Sequence, residues 1–162
     1  MENDKYLITK EDIEAMDGLK KTHFLNSNAV RINKSLGDLA GLTGLGFHII
    51  EVEPGRETTE YHRHYYEDEC VYILAGRGRA TIGDETHPVK AGDFIGYRKG
   101  GLAHTIVNDG EEILRCIVVG ERLTHDVGDY PRLNKRIYRH AGLKTNVVAH
   151  EHIDEPTVGA KA

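Results

Sequence analysis

The stretch Gly55-Arg56-Glu57-Thr58-Thr59-Glu60-Tyr61-His62-Arg63-His64-Tyr65-Tyr66-Glu67-Asp68-Glu69 sets two histidines and three consecutive acidic residues ahead of an apolar run, Cys70-Val71-Tyr72-Ile73-Leu74, which Gly76 closes. On an extended strand side chains repeat every second residue, so His-x-His puts both imidazoles on one face. A third histidine, His104, follows one meander later, with Asn108 four residues beyond it. Its parity with Ile106 and Asn108 turns it toward the same interior. Glu67, Asp68 and Glu69 compete for the carboxylate position. Glu69 is preferred because it shares a strand face with Val71 and Ile73. His62, His64, Glu69 and His104 form a mixed nitrogen and oxygen donor set. Such a set suits one divalent transition metal (Zn, Mn, Fe or Ni) better than calcium or magnesium, which prefer all-oxygen shells.

Outward from that stretch the pattern is β. Runs at 47–52, 69–74, 79–82, 94–97, 104–107 and 113–119 are short and rich in β-branched and aromatic residues, with glycine-bearing turns between them. Many short, evenly spaced strands predict an all-β sandwich or barrel rather than βαβ units. Ahead of them, Thr9-Lys10-Glu11-Asp12 predicts a capped short helix that stops near Gly18, and the four glycines within 36–46 predict an irregular loop. Beyond Gly120 the chain is polar, with an edge strand expected at 135–138 and a loose tail at 150–162. The expected organisation is a single domain: an N-terminal extension, 1–46, packs on a barrel core, 47–120, and a C-terminal extension and tail, 121–162, follows.

The chain has 162 residues, enough for one core without disulfide staples. A formal net charge of −5 argues against a partner bound through phosphate neutralisation, so no nucleic acid is expected. Cys70 and Cys116 lie in apolar runs and read as buried free thiols. Met1-Glu2-Asn3-Asp4-Lys5 lacks the basic and apolar regions of a secretory signal, and no apolar run approaches the roughly 20 residues that span a bilayer. A cytoplasmic protein with no membrane partner is therefore expected.

Gly55…His62-x-His64-x4-Glu69-x6-Gly76 resembles the first signature of the cupin superfamily, and Ala91-Gly92-Asp93…Gly101-Leu102-Ala103-His104-x3-Asn108 resembles the second. Two departures affect loop shape and no donor. Lys99 stands where the second signature usually has proline, and the spacer from Gly55 to His62 is one residue longer than usual. Flanking segments, Leu36-Gly37-Asp38-Leu39-Ala40-Gly41-Leu42-Thr43 and Asp126-Val127-Gly128-Asp129-Tyr130-Pro131, look like those of small single-domain bacterial cupins, some of which bear a provisional sugar-phosphate isomerase label. The resemblance implies a double-stranded β-helix (jelly-roll) barrel holding the metal inside one open end. It also implies a homodimer, which the outer-face residues Cys70, Tyr72 and Leu74 permit.

Arg98-Lys99-Gly100-Gly101, just ahead of His104, suggests a substrate-binding turn that holds a phosphate or carboxylate with side-chain charge and backbone N–H groups. His48 shares parity with Ile50 and Val52 and is a second candidate to meet a small-molecule substrate. The remaining histidines show no comparable register, and the sequence selects no catalytic base. The expected function is metal-assisted proton transfer on a small oxygen-rich metabolite, of the (phospho)sugar isomerase type. An iron-dependent dioxygenase and a non-catalytic small-ligand or metal-binding protein are the competing readings.

Overall fold

The structure, a computed structural model, describes residues 5–159. The readings of residues 1–4 and 160–162 as a leaderless start and the end of a tail lie outside it. Elements follow in the order α1 (Lys10–Ala15), β1 (Leu19–His23), β2 (Asn26–Ser35), α2 (Leu36–Leu39), β3 (Leu45–Val52), β4 (Arg63–His64), β5 (Glu69–Ala75), β6 (Arg77–Ile82), β7 (Glu85–Lys90), β8 (Phe94–Tyr97), β9 (His104–Val107), β10 (Leu114–Glu121), β11 (His125–Tyr130), β12 (Lys135–His140) and β13 (Asn146–Ala149). All strand pairings are antiparallel. No helix among the described residues is long and apolar enough to cross a membrane.

Three sheets make the barrel. A six-stranded sheet runs β1-β2-β3-β10-β5-β8, a three-stranded sheet runs β7-β6-β9, and a four-stranded sheet runs β13-β12-β11-β4. The alternation in β5 is as the sequence predicts: Val71 and Ile73 are buried while Tyr72 and Leu74 are exposed. Those inward residues meet Ile50, Val52, Ile95, Leu114 and Cys116 from their own sheet. Ala80, Val89 and Ile106 reach the same cluster from the three-stranded sheet. The core thus fills the space between the first two sheets. This is the all-β jelly-roll barrel, with its short N-terminal helix and the strands of a C-terminal segment.

α1 forms as predicted. The Thr9 hydroxyl accepts from the Asp12 N–H at 3.2 Å, and the Asp12 carboxylate accepts from the Thr9 N–H at 2.9 Å. Other local expectations are corrected. β1 and β2 are strands where only an extension was expected. The inward positions of β2 are Ala29, Arg31 and Asn33, and the polar Arg31, which faces a cavity, and buried Asn33 erase the apolar period. The 36–46 segment holds a single helical turn, α2, in which a Cβ on Gly37 would come within 2.9 Å of the Phe47 nitrogen. β12 is not an edge strand, since β11 and β13 flank it. Cys116 is buried, but Cys70 is only half-buried on the outer face of β5. His150 is not loose either. It opens a 3₁₀ turn, and its Nε2 lies 3.1 Å from the Asp129 carboxylate.

The two glycines that bracket the first histidine-bearing stretch have different reasons to be glycine. Both adopt positive φ, +79° at Gly55 and +80° at Gly76. A Cβ on Gly55 would meet nothing, whereas one on Gly76 would stand 2.5 Å from the Ile113 carbonyl oxygen. Gly55→Ala is expected to cost about 1 kcal/mol, the ordinary left-handed penalty. Gly76→Ala should cost about 3 kcal/mol or more, because a backbone clash adds to the same penalty. Urea unfolding of the two variants checks this, and equal small losses would contradict it.

Candidate metal centre

The donors come together at the mouth of the barrel. His62 and His104 face each other across an isolated antiparallel bridge, with backbone bonds of 3.2 Å and 2.8 Å between them. This pairing brings their rings to 4.7 Å between centroids. His64, two residues on and therefore on the same face, lies in β4 and pairs with Gly128 of β11. A side chain at Gly128 would run within 2.9 Å of the Arg63 carbonyl, so glycine lets the strands close. Glu69 opens β5 between Gly120 of β10 and Tyr97 of β8.

The resulting separations are short. Nε2 of His62 is 3.1 Å from Nε2 of His64, and Nε2 of His104 is 3.3 Å from Oε1 of Glu69. Donor atoms of His62, Glu69 and His104 all lie within 4.8 Å of one another. Each imidazole has an acceptor behind it. His62 Nδ1 is 2.8 Å from the Glu60 carbonyl, His64 Nδ1 is 2.6 Å from Asp126 Oδ2, and His104 Nδ1 is 3.3 Å from the Leu102 carbonyl. With each Nδ1–H donated outward, all three Nε2 atoms keep their lone pairs and point inward with a carboxylate. Tyr97 lies flat on the His104 ring, 3.4 Å between centroids and 3° between planes, which fixes that ring's orientation.

Electrostatics follow from this crowding. Burial pushes the His62 imidazole down to about 3, against the opposing pull of Glu69. Burial also pulls on His64, but its hydrogen bond to Asp126 and the Glu69 charge outweigh that and raise it. Burial works to raise the Glu69 carboxyl, yet the His104 hydrogen bond and the surrounding imidazoles hold it at about 2. The clustered donor atoms of His62, Glu69 and His104, with His64 beside His62, repel each other unless positive charge sits among them. A metal with bonds of about 2.1 Å spaces its ligand atoms by about 3.0 Å at octahedral and about 3.4 Å at tetrahedral angles. The 3.1 Å and 3.3 Å separations match those spacings, so the donor set fits a divalent transition metal.

His64 is braced further. Asp126 also accepts from the Tyr66 N–H at 3.2 Å, and Glu67, beside it, is ion-paired with Arg139 and accepts from the Leu123 N–H at 2.7 Å. Glu67, His64 and Asp126 cluster within 4.8 Å, but both carboxylates there are already engaged with protein donors, which makes the group a support for His64. Of the competing acids, Glu69 reaches the donor cluster, Glu67 is held by Arg139, and Asp68 accepts from the Lys99 N–H at 2.7 Å.

The cluster opens on a cavity of about 320 Å³, whose floor includes Ile50, Val71 and Ile106. His48 lines it, and so do Arg31, Arg122, Arg139 and Tyr130. Arg98 and Lys99 do not. They emerge exposed on the turn after β8, because Tyr97 takes the inward position there and the chain then reverses at Gly100, with φ +67°. Asp126 and Arg31 escaped the sequence reading. Asp126 lies 62 residues from its partner His64, although it opens one of the flanking segments singled out above. Arg31 is betrayed only by its parity with Ala29 and Asn33, both buried.

Comparison with known proteins adds four findings. The family model described as Cupin domain matches residues 48–120. The whole fold superposes, at a TM-score of 0.91, on the crystal structure of a protein of Acidithiobacillus ferrooxidans named "Putative sugar phosphate isomerase", which is 48% identical, with 94% of this chain and 97% of that one covered. A sugar phosphate isomerase from a cupin superfamily of Silicibacter pomeroyi shares the fold at a TM-score of 0.77 with 22% identity, over 87% of this chain and 92% of that one. An uncharacterized protein of Methanocaldococcus jannaschii is 38% identical over 66 residues, 41% of this chain, and the match spans about half the length of that curated relative.

Removing the brace behind His64 tests the geometry. Asp126→Asn should weaken zinc binding by about 10–100-fold while the far-ultraviolet spectrum stays that of the parent. Competition with a chromophoric chelator measures the affinity, and an unchanged value would contradict the role given to Asp126.

Proposed function

The chain belongs to the cupin superfamily, and from that premise we propose that it is a metal-dependent enzyme acting on a small oxygen-rich metabolite, with isomerisation of a phosphorylated sugar as its reaction. His62, His64, Glu69 and His104 are the proposed ligands. The observation that carries this reading is the convergence of their donor atoms at the wall of a cavity that arginines also line. The 48% identity with the Acidithiobacillus protein, over nearly the full length of both chains, supports the sugar phosphate assignment. The wider family does not decide it, because one fold hosts many chemistries.

A bound divalent cation supplies Lewis acidity to adjacent oxygens of the substrate. The rest falls to the chain. His48 enters from β3, opposite Ser35 of β2, and its Nδ1 lies 3.2 Å from the side-chain nitrogen of Asn33. The Nε2 end is then the one that meets substrate. Burial, followed by the charges of Arg122, Lys21 and Arg31, lowers the His48 pKa, so the ring is neutral near pH 7. A neutral imidazole can both accept and return a proton, which is what transfer between neighbouring carbons through an enediol requires. The apolar floor limits water at the reacting carbons.

Metal-loaded protein is to be incubated in D₂O with phosphorylated aldoses and ketoses of three to six carbons. Interconversion with deuterium gained beside the carbonyl is expected for at least one substrate. His48→Ala should lower kcat about 10²–10⁴-fold without changing metal content. Iron-dependent oxygen uptake with no exchange on any sugar would replace this reading with an oxygenase. Tight binding without turnover would replace it with a binding protein.

A further inference from the structure

Three arginines line the cavity, and two of them are already neutralised. Arg122 is ion-paired with Asp38, and Arg139 with Glu67. Arg31 has no carboxylate within ion-pair distance among the described residues. Its Nη1 donates to the Thr58 carbonyl at 2.7 Å, which pins the guanidinium in place. Its Nε is buried and has no acceptor. Burial draws the Arg31 pKa down, and the Glu69 charge opposes this, so the two groups share one electrostatic environment.

A desolvated guanidinium without a counter-charge is unfavourable, and a buried N–H without an acceptor adds to that cost. The buried Nε lies out of a ligand's reach, but Nη2 has no protein acceptor and keeps exposed surface, so a ligand can supply the missing counter-charge there. A planar fork with free donors matches the paired oxygens of a phosphate or carboxylate. The fork is also held stiffly, because Thr58 is itself buried and tied to Ile106, its N–H to the Ile106 carbonyl at 2.8 Å and its hydroxyl to the Ile106 N–H at 3.2 Å. Arg31 stands on β2, outside the stretch that matches the family model, while all four donors stand inside it.

We propose that Arg31 anchors the oxyanion end of the ligand, a phosphate or a carboxylate, and so selects anionic ligands for this cavity. The inference rests on the cavity being the ligand site of the proposed function, and it replaces the exposed pair Arg98 and Lys99 as the source of positive charge.

Calorimetric titration of zinc-loaded protein with glycerol 3-phosphate, glycerate and glycerol tests it. At least one anion should bind, with glycerol at least about tenfold weaker. Arg31→Gln should weaken the anion at least about tenfold, leave glycerol unchanged and keep the parent melting temperature. The anion whose affinity falls identifies phosphate or carboxylate as the group recognised. Arg98→Gln with Lys99→Gln should bind like the parent. The same titrations on His62→Ala/His64→Ala separate this inference from the metal reading: anion binding that survives there and still falls on Arg31→Gln supports Arg31 even if the enzyme reading fails. Anion affinity unaltered by Arg31→Gln, with or without a lower melting temperature, would overturn the proposal. So would the absence of binding by either anion to the parent.

Discussion

Donor atoms of His62, Glu69 and His104 are forced to within 4.8 Å of one another, with His64 3.1 Å from His62, and much of the barrel's mouth serves to keep them there. The cross-strand bridge between His62 and His104, the short strand bearing His64, and the start of β5 at Glu69 converge from different sheets. Left alone, those atoms would rotate apart. They do not, because each ring is gripped from behind by Glu60, Asp126 or Leu102, and His104 is also pressed flat by Tyr97. This is a costly arrangement for folding and a favourable one for binding a cation.

The chain divides its labour along its length. The donors and the hydrophobic core lie within 48–120, the residues that match the family model. Much of the charge that lines the cavity comes from outside it: Arg31 from β2, Arg122 after β10 and Arg139 from β12, with Tyr130 from β11 beside them. The division is not complete, since Asp126, which braces His64, also stands on a flanking strand. The barrel supplies the reactive centre, and the flanking strands supply the charge and shape around it.

What could be read from the sequence follows the same division. His62, His64 and Glu69 were legible because a strand period of two and a short turn fix their relative positions within one stretch. The β pattern of the core was legible because inward residues such as Val71 and Ile73 alternate with exposed Tyr72 and Leu74. β2 was hidden because its inward residues are polar. β7 was missed because it runs exposed along an edge, with Val89 its only buried residue. The Asp126 brace depends on a pairing between distant strands that no local pattern encodes. The exposure of Arg98 and Lys99 was not legible, because charge beside a ligand signature does not reveal which way a chain turns when it leaves a strand.

The most direct test of the whole account is elemental analysis of the untagged protein purified without chelators, beside a His62→Ala/His64→Ala variant shown to be folded. The account predicts close to one transition-metal ion per chain in the parent and essentially none in the variant. A parent that holds no metal, and takes up none when zinc, manganese, iron or nickel is offered, would contradict it.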